Sequence, residues 1–285
     1  MRRLLPLLLA VLVVLAGCNG IGLPGSGDEP GLDTNTTETP MATPGTPGEN
    51  VTGESVKAEA LAAIEAVETY RLRANQTTRY AELNRTVNST VNGTFDRTVR
   101  NASLVQNLTA RSLAFSVETY VDGASETRYQ YSRIYEQEYD SRWIRTDLSG
   151  NFSATWEQYD TLSRQRALLE ASNVTLDGIE RVNGTDVYVL TATTNRSEYE
   201  ALGIGTGGAA NVSTVSATFY VGVEDDRLVR STVNVSGTER ASGRTLTFER
   251  TTDLRFDGYG EPVDIQLPAG ASDAVTVASP NGTVA

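Results

Sequence analysis

Val215-Ser216-Ala217-Thr218-Phe219-Tyr220-Val221-Gly222-Val223-Glu224-Asp225-Asp226-Arg227-Leu228-Val229-Arg230-Ser231-Thr232-Val233-Asn234-Val235 decides the fold. Val215, Ala217, Phe219, Val221 and Val223 alternate with other residues at a period of two, which places them on one face of a strand. Asp225-Asp226 supply a turn, and Val229, Ser231, Val233 and Val235 carry the chain back. A long hairpin with one apolar face predicts an antiparallel sheet packed on one side.

The same period extends in both directions. Downstream, Leu246, Phe248, Leu254 and Phe256 form another long strand, and Pro262 and Pro268 close off the sheet. Upstream, 174–182 and 186–194 form a hairpin joined through Asn183-Gly184, a dipeptide suited to tight hairpin turns. A short helical crossover is expected over 197–202. Residues 159–171 predict a helix with Leu162, Ala167 and Leu169 as its apolar positions. Further strands begin at Tyr70-Leu72-Ala74, at Leu113-Phe115-Val117, at Tyr129-Tyr131-Tyr135 and at Trp143-Ile144. The stretch 84–95 fits a helix or a strand by spacing, but its Thr, Val, Asn, Ser and Gly content favours a strand with odd positions inward. Residues 53–69 predict an amphipathic helix on Val56, Ala60, Ile64 and Val67, with Thr52 as N-cap.

The order is therefore one N-terminal helix, a run of antiparallel strands, a mid-chain helix and a run of hairpins. That order, with Gly178-Ile179-Glu180-Arg181-Val182-Asn183-Gly184, Asp186-Val187-Tyr188-Val189-Leu190 and Tyr220 to Val229, resembles the lipoprotein-carrier superfamily of LolA and the mycobacterial LppX/LprG lipoproteins. The resemblance covers roughly 53–268. It implies an α+β fold: a mainly antiparallel, strongly curved sheet, or half-barrel, covered on its concave face by the N-terminal and mid-chain helices. It also implies a lipid or other hydrophobic ligand.

The N-terminus reads as an address. Arg2 and Arg3 precede an apolar run from Leu4 to Ala16 that ends in Leu15-Ala16-Gly17-Cys18. Such a run reaches about 20 Å as a helix, short of the roughly 30 Å hydrocarbon core, so it predicts a signal peptide over 1–17. The motif resembles the lipobox of prokaryotic lipoproteins, with Cys18 as the lipidated residue; the alternative is an ordinary signal sequence with a chance cysteine. Arg2-Arg3 could also be read by a twin-arginine exporter. Cys18 is the only cysteine, so no intramolecular disulfide can form. Residues 18–52 are rich in Gly, Pro, Thr and acids and cannot bury enough surface to offset ordering entropy; they read as a tether, and 273–285 as a frayed tail. Between them, 53–272 form one domain. The expected location is the extracellular face of the cell membrane.

Without Arg2 and Arg3 the chain keeps 36 acidic against 22 basic residues, and Lys57 is the only lysine. That balance argues against nucleic acid as an electrostatic partner. Acid-rich, lysine-poor, threonine-rich composition resembles proteins of halophilic archaea. Of 16 asparagines, 15 head an Asn-x-Ser/Thr triplet, where composition alone gives roughly three. These read as N-glycosylation acceptors: Asn75, Asn84, Asn88, Asn92, Asn101, Asn107, Asn151, Asn173, Asn183, Asn195, Asn211 and Asn234, with Asn35, Asn50 and Asn281 outside the domain.

There is no histidine, which removes Ser-His-Asp triads, His-ligated metals and the usual neutral-pH base. Gly203-Ile204-Gly205-Thr206-Gly207-Gly208 lacks the lysine and the strand-to-helix setting of a phosphate loop and reads as a crossover. Glu136, Glu138 and Asp140 could hold Ca²⁺, but read better as solvated charges. No catalytic residue, metal or cofactor is expected. Tyr129 and Tyr131, with Leu113, Phe115, Val117, Phe219, Val221, Leu246 and Phe248, form the expected ligand lining. Two roles follow: a lipid or hydrophobic-ligand carrier, or a structural glycoprotein of the envelope with a filled core.

Overall fold

The computed structural model describes residues 48–278 apart from 49, 111–112, 203–209 and 242–243. The signal segment, Cys18, most of the tether and the glycine-rich run 203–208 lie outside the described residues.

The chain opens with α1 (Gly53–Glu65), followed by β1 (Thr69–Tyr80), β2 (Arg85–Asp96), β3 (Asn101–Ala110), β4 (Leu113–Asp122), β5 (Thr127–Tyr131) and β6 (Trp143–Asp147). A 3₁₀ turn (Arg133–Tyr135) and α2 (Glu136–Tyr139) link β5 to β6. Then come α3 (Phe152–Tyr159), α4 (Thr161–Glu170), β7 (Ser172–Val182), β8 (Thr185–Thr194), α5 (Arg196–Ala201), β9 (Ala210–Gly222), β10 (Leu228–Ala241) and β11 (Arg244–Asp257). A second 3₁₀ turn (Ala269–Asp273) leads to β12 (Val275–Thr276).

Among the described residues the strands form one twelve-stranded sheet, ordered β12-β6-β5-β4-β3-β2-β1-β11-β10-β9-β8-β7. β1 and β11 sit at its centre and pair over Arg71–Tyr80 and Phe248–Asp257, joining two meanders. Every neighbour is antiparallel except β12, which runs parallel to Ile144-Arg145 of β6. Val275-Thr276, within the stretch read from sequence as a frayed tail, form this edge strand. The sheet is open and curved as a half-barrel, and helices cover its concave face.

Local chemistry explains the elements. Thr52 caps α1 through a reciprocal pair with Ser55, and Val56, Ala60 and Ile64 turn the helix onto the sheet. Asn183 and Gly184 adopt φ of 52° and 90°, the left-handed pair that a two-residue hairpin loop requires. In β2, Ser89, Val91, Gly93 and Phe95 are buried while Asn88, Thr90 and Asn92 are exposed, as odd-inward alternation predicts. A bulge between Leu228 and Arg230 shifts parity in β10, so fully buried Leu228 takes the inward place expected of Val229. The mid-chain helix is broken in two. Asp160 has ψ of 90° and caps α4 instead of continuing α3.

A candidate ligand trough on the concave face

The concave wall has two unlike parts. Toward the starts of β1 and β10, Tyr70, Phe95, Phe219, Val221 and Leu228 are fully buried, as are Leu162, Leu168 and Leu169 of α4. Tyr70 and Phe95 stack with ring centroids 4.5 Å apart. This part is closed by Asp160, which accepts from Tyr70 Oη (2.8 Å) and Arg97 Nε (2.9 Å). Arg97 donates in turn to the carbonyls of Ile64 and Val67 at the end of α1. One carboxylate thus ties α1, α4, β1 and the β2–β3 turn together. Farther along α4, Gln165 accepts from Ser231 Oγ at 2.7 Å.

Beyond Ser231 the wall changes character. Register places Gln76 beside Ser89 and Thr252, and Thr78 beside Val87 and Arg250. Tyr80 lies beside Arg85 and Phe248. Gln76, Thr78, Ser89 and Arg250 are buried, and Glu239 joins them from β10. They form a polar spine along β1 and β11. On one side stand Val87, Leu108, Phe115 and Val117; on the other stand Val215, Ala217, Val233 and Val235. Leu108, Ala110, Val87 and Phe115 pack as a small cluster of their own, with Val87 also touching the main core. Val87, Leu113 and Phe115 are only half-buried. α4 hydrogen-bonds this wall at Tyr70 and Ser231.

Arg250 donates from Nε to Thr78 Oγ1 at 3.2 Å and lies 5.0 Å over the Phe248 ring. Burial raises the Glu239 carboxyl above the usual carboxylate range, against a hydrogen bond from Tyr80 and the field of Arg250. Glu239 Oε1 is buried without a partner. The trough therefore offers apolar flanks for a hydrocarbon chain and a polar floor for an amphipathic ligand. A separate cleft of about 490 Å³ is lined by Glu65, Arg97, Glu157, Ser163, Arg164 and Arg166 with Ala167 and Leu202, a mainly charged and polar wall less suited to hydrocarbon.

The predicted lining is divided by this geometry. Leu113, Phe115 and Val117 line the trough, and Leu246 and Phe248 lie at its far end. Phe219 and Val221 belong to the filled part. Tyr129 and Tyr131 face the other way, across from Tyr120 and Glu118 on the convex side. The inward places on β5 go to Arg128 and Gln130, whose side chains find buried partners in Thr146 and Thr119. Tyr131 packs instead on Trp143, centroids 5.2 Å apart. Tyr135 leaves the strand for the 3₁₀ turn. Glu136, of the acidic group Glu136, Glu138 and Asp140, sits on α2 and pairs with Arg142 at 3.0 Å. The spine escaped sequence reading, although Gln76 and Thr78 continue the inward parity of Tyr70, Leu72 and Ala74. Of the domain's twelve sequon asparagines, eleven are exposed. Asn101 is half-buried and accepts from the Gly123 N–H at 2.8 Å.

Residues 3–255 match the model of a family described as a family of unknown function, DUF7537. No curated protein matches the chain by sequence. Among solved structures it is similar to LprF from Mycobacterium bovis, with 14% identity, TM-score 0.47, and 76% of this chain and 96% of that one covered. It is similar to the lipoprotein LppX of Mycobacterium tuberculosis at 16% identity and TM-score 0.46, covering 75% and 99% of the two chains. A LolA superfamily protein from Nitrosomonas europaea matches at 12% identity and TM-score 0.29, over 76% and 96%.

Proposed function

We propose that this chain, which belongs to the DUF7537 family of unknown function, is a membrane-anchored extracytoplasmic lipoprotein that holds an amphipathic, chain-bearing ligand in its trough. The observation that carries this reading is the wall beyond Ser231: two apolar flanks, one of them half-buried at Val87, Leu113 and Phe115, around a buried polar spine with an unpartnered carboxylate oxygen on Glu239. In a core that served packing alone, Glu239 Oε1, buried without a partner, is a net cost. Burying a chain of about a dozen methylenes at about 0.8 kcal/mol each leaves micromolar affinity after association costs. Uptake of a fluorescent fatty alcohol by the full chain tests the reading.

The anchor is Cys18. No described helix is long and apolar enough to cross a membrane, and Leu15-Ala16-Gly17-Cys18 supplies the lipidation motif. The variant Cys18→Ser is expected to leave the membrane fraction or to remain unprocessed. Full retention after a high-salt wash contradicts the anchor.

The exposed sequons support a glycan-bearing outer surface. Asn75, Asn88, Asn92, Asn107, Asn173 and Asn234 stand among threonines and serines on the convex side, opposite the trough. Glycans there leave the concave face open. The intact mass of protein from its own host is expected to exceed that of the lipidated polypeptide by several glycan units; a mass equal to the lipidated polypeptide contradicts this.

A further inference from the structure

Arg128 points inward from β5, between Val121 and Thr146, both of them buried. Its guanidinium donates to Tyr159 Oη at 2.9 Å and to Thr146 Oγ1 at 2.9 Å. Both acceptors are neutral hydroxyls. Among the described residues no carboxylate pairs with it, and its Nε is buried without any partner. Tyr135 comes over from the 3₁₀ turn, 1% exposed, and its hydroxyl is likewise unpartnered. Burial keeps the phenol protonated, a donor at any physiological pH, and Arg128, Tyr159 and Tyr139 are the ionisable groups whose charge acts on it. The contrast with Arg166 is instructive. Its Nε is also unpartnered, but Glu65 and Glu170 flank it at 3.5 and 3.3 Å and balance its charge.

A half-buried cation without a counter-charge, its Nε closed off from water, together with a buried hydroxyl without an acceptor, describes a site short of an anion. We infer that Arg128 and Tyr135, roofed by Tyr159 of α3, bind an oxyanion of the phosphate class through Arg128 Nε–H and Tyr135 O–H. Arginine suits this role because its guanidinium stays charged and presents several donors in one plane. The inference does not rest on the trough reading: the phosphate can be a free ion or the head of an amphiphile, and the site is the same.

Isothermal titration of the full-length protein with inorganic phosphate, octyl phosphate and octanol tests it. Octyl phosphate is expected to bind the parent and to lose about tenfold or more in affinity to Arg128→Met, with about a three- to tenfold loss in Tyr135→Phe. Inorganic phosphate showing the same losses identifies a free-ion site. Losses confined to octyl phosphate identify a headgroup site. Octanol, blind to the oxyanion, reports on the trough alone, so failure of that reading leaves this one standing. If Arg128→Met fails to fold, Tyr135→Phe, which removes a single oxygen, decides. Absence of phosphate and octyl phosphate binding in the parent overturns the inference, and so does binding undiminished in the variants that fold.

Discussion

Replacing Asp160 with alanine is expected to lower unfolding stability by about 3–5 kcal/mol, the range for removing one partner of a buried ion pair. Asp160 is 1% exposed and Arg97 17%, so the lost carboxylate leaves a guanidinium that water reaches poorly. The same change removes the acceptor of Tyr70 Oη and the N-cap of α4. The cost falls on the junction of α1, α4 and β1. Tyr70→Phe, which removes only the hydroxyl, is expected to cost about 1.5–3 kcal/mol, the range for a hydrogen bond to a charged group. Urea titration of both variants checks the order. An Asp160→Ala loss below about 1 kcal/mol contradicts the role assigned to this carboxylate as the joint of the helical cover.

The second large effect concerns the ligand. Val87 is half-buried where the small cluster of Leu108, Ala110 and Phe115 meets the main core. An indole there projects over the polar spine. Val87→Trp is expected to weaken uptake of a fluorescent fatty alcohol by about tenfold or more, since each excluded methylene forfeits about 0.8 kcal/mol. Its effect on stability is expected to be smaller than at a fully buried site, because Val87 is half-buried. Phe219→Trp is the control. Phe219 is fully buried in the filled part, so enlarging it should cost the 1–3 kcal/mol typical of overpacking and leave uptake unchanged. Equal uptake by Val87→Trp and the parent places the chain elsewhere.

What sequence reading could see follows from which forces act locally. The long strands were legible because Val215 to Val235 and Leu246 to Phe256 keep one apolar face over many residues. The Asn183-Gly184 turn was legible because its backbone geometry is set by those two residues. β3 was not read: Gln106 interrupts Ala102, Leu104, Leu108 and Ala110, and its partner Ser89 lies on another strand. Spacing and the apolar area of phenol rings put Tyr129 and Tyr131 inward. Their parity is set instead by Arg128 and Gln130, whose partners Tyr159 and Thr119 lie on other elements. The break at Asp160 depends likewise on Tyr70 and Arg97. Its one local sign is an Asp three residues before Ser163, whose backbone N–H it caps. Polar side chains on an inner wall are where local pattern and tertiary role part company, and both candidate sites are built of them.

The central claim is that the far half of the concave face holds a hydrocarbon chain. Native mass spectrometry of the Cys18→Ser protein, recovered from its own host in parallel with its Val87→Trp derivative, tests this most directly. Glycans are removed enzymatically first, so that residual mass reports bound ligand. The expected result is a population carrying one noncovalent lipid-sized adduct, released on collisional activation and strongly depleted in Val87→Trp. Bare polypeptide from both proteins, with no fatty alcohol taken up by either, would contradict the carrier reading and leave a structural glycoprotein of the cell envelope.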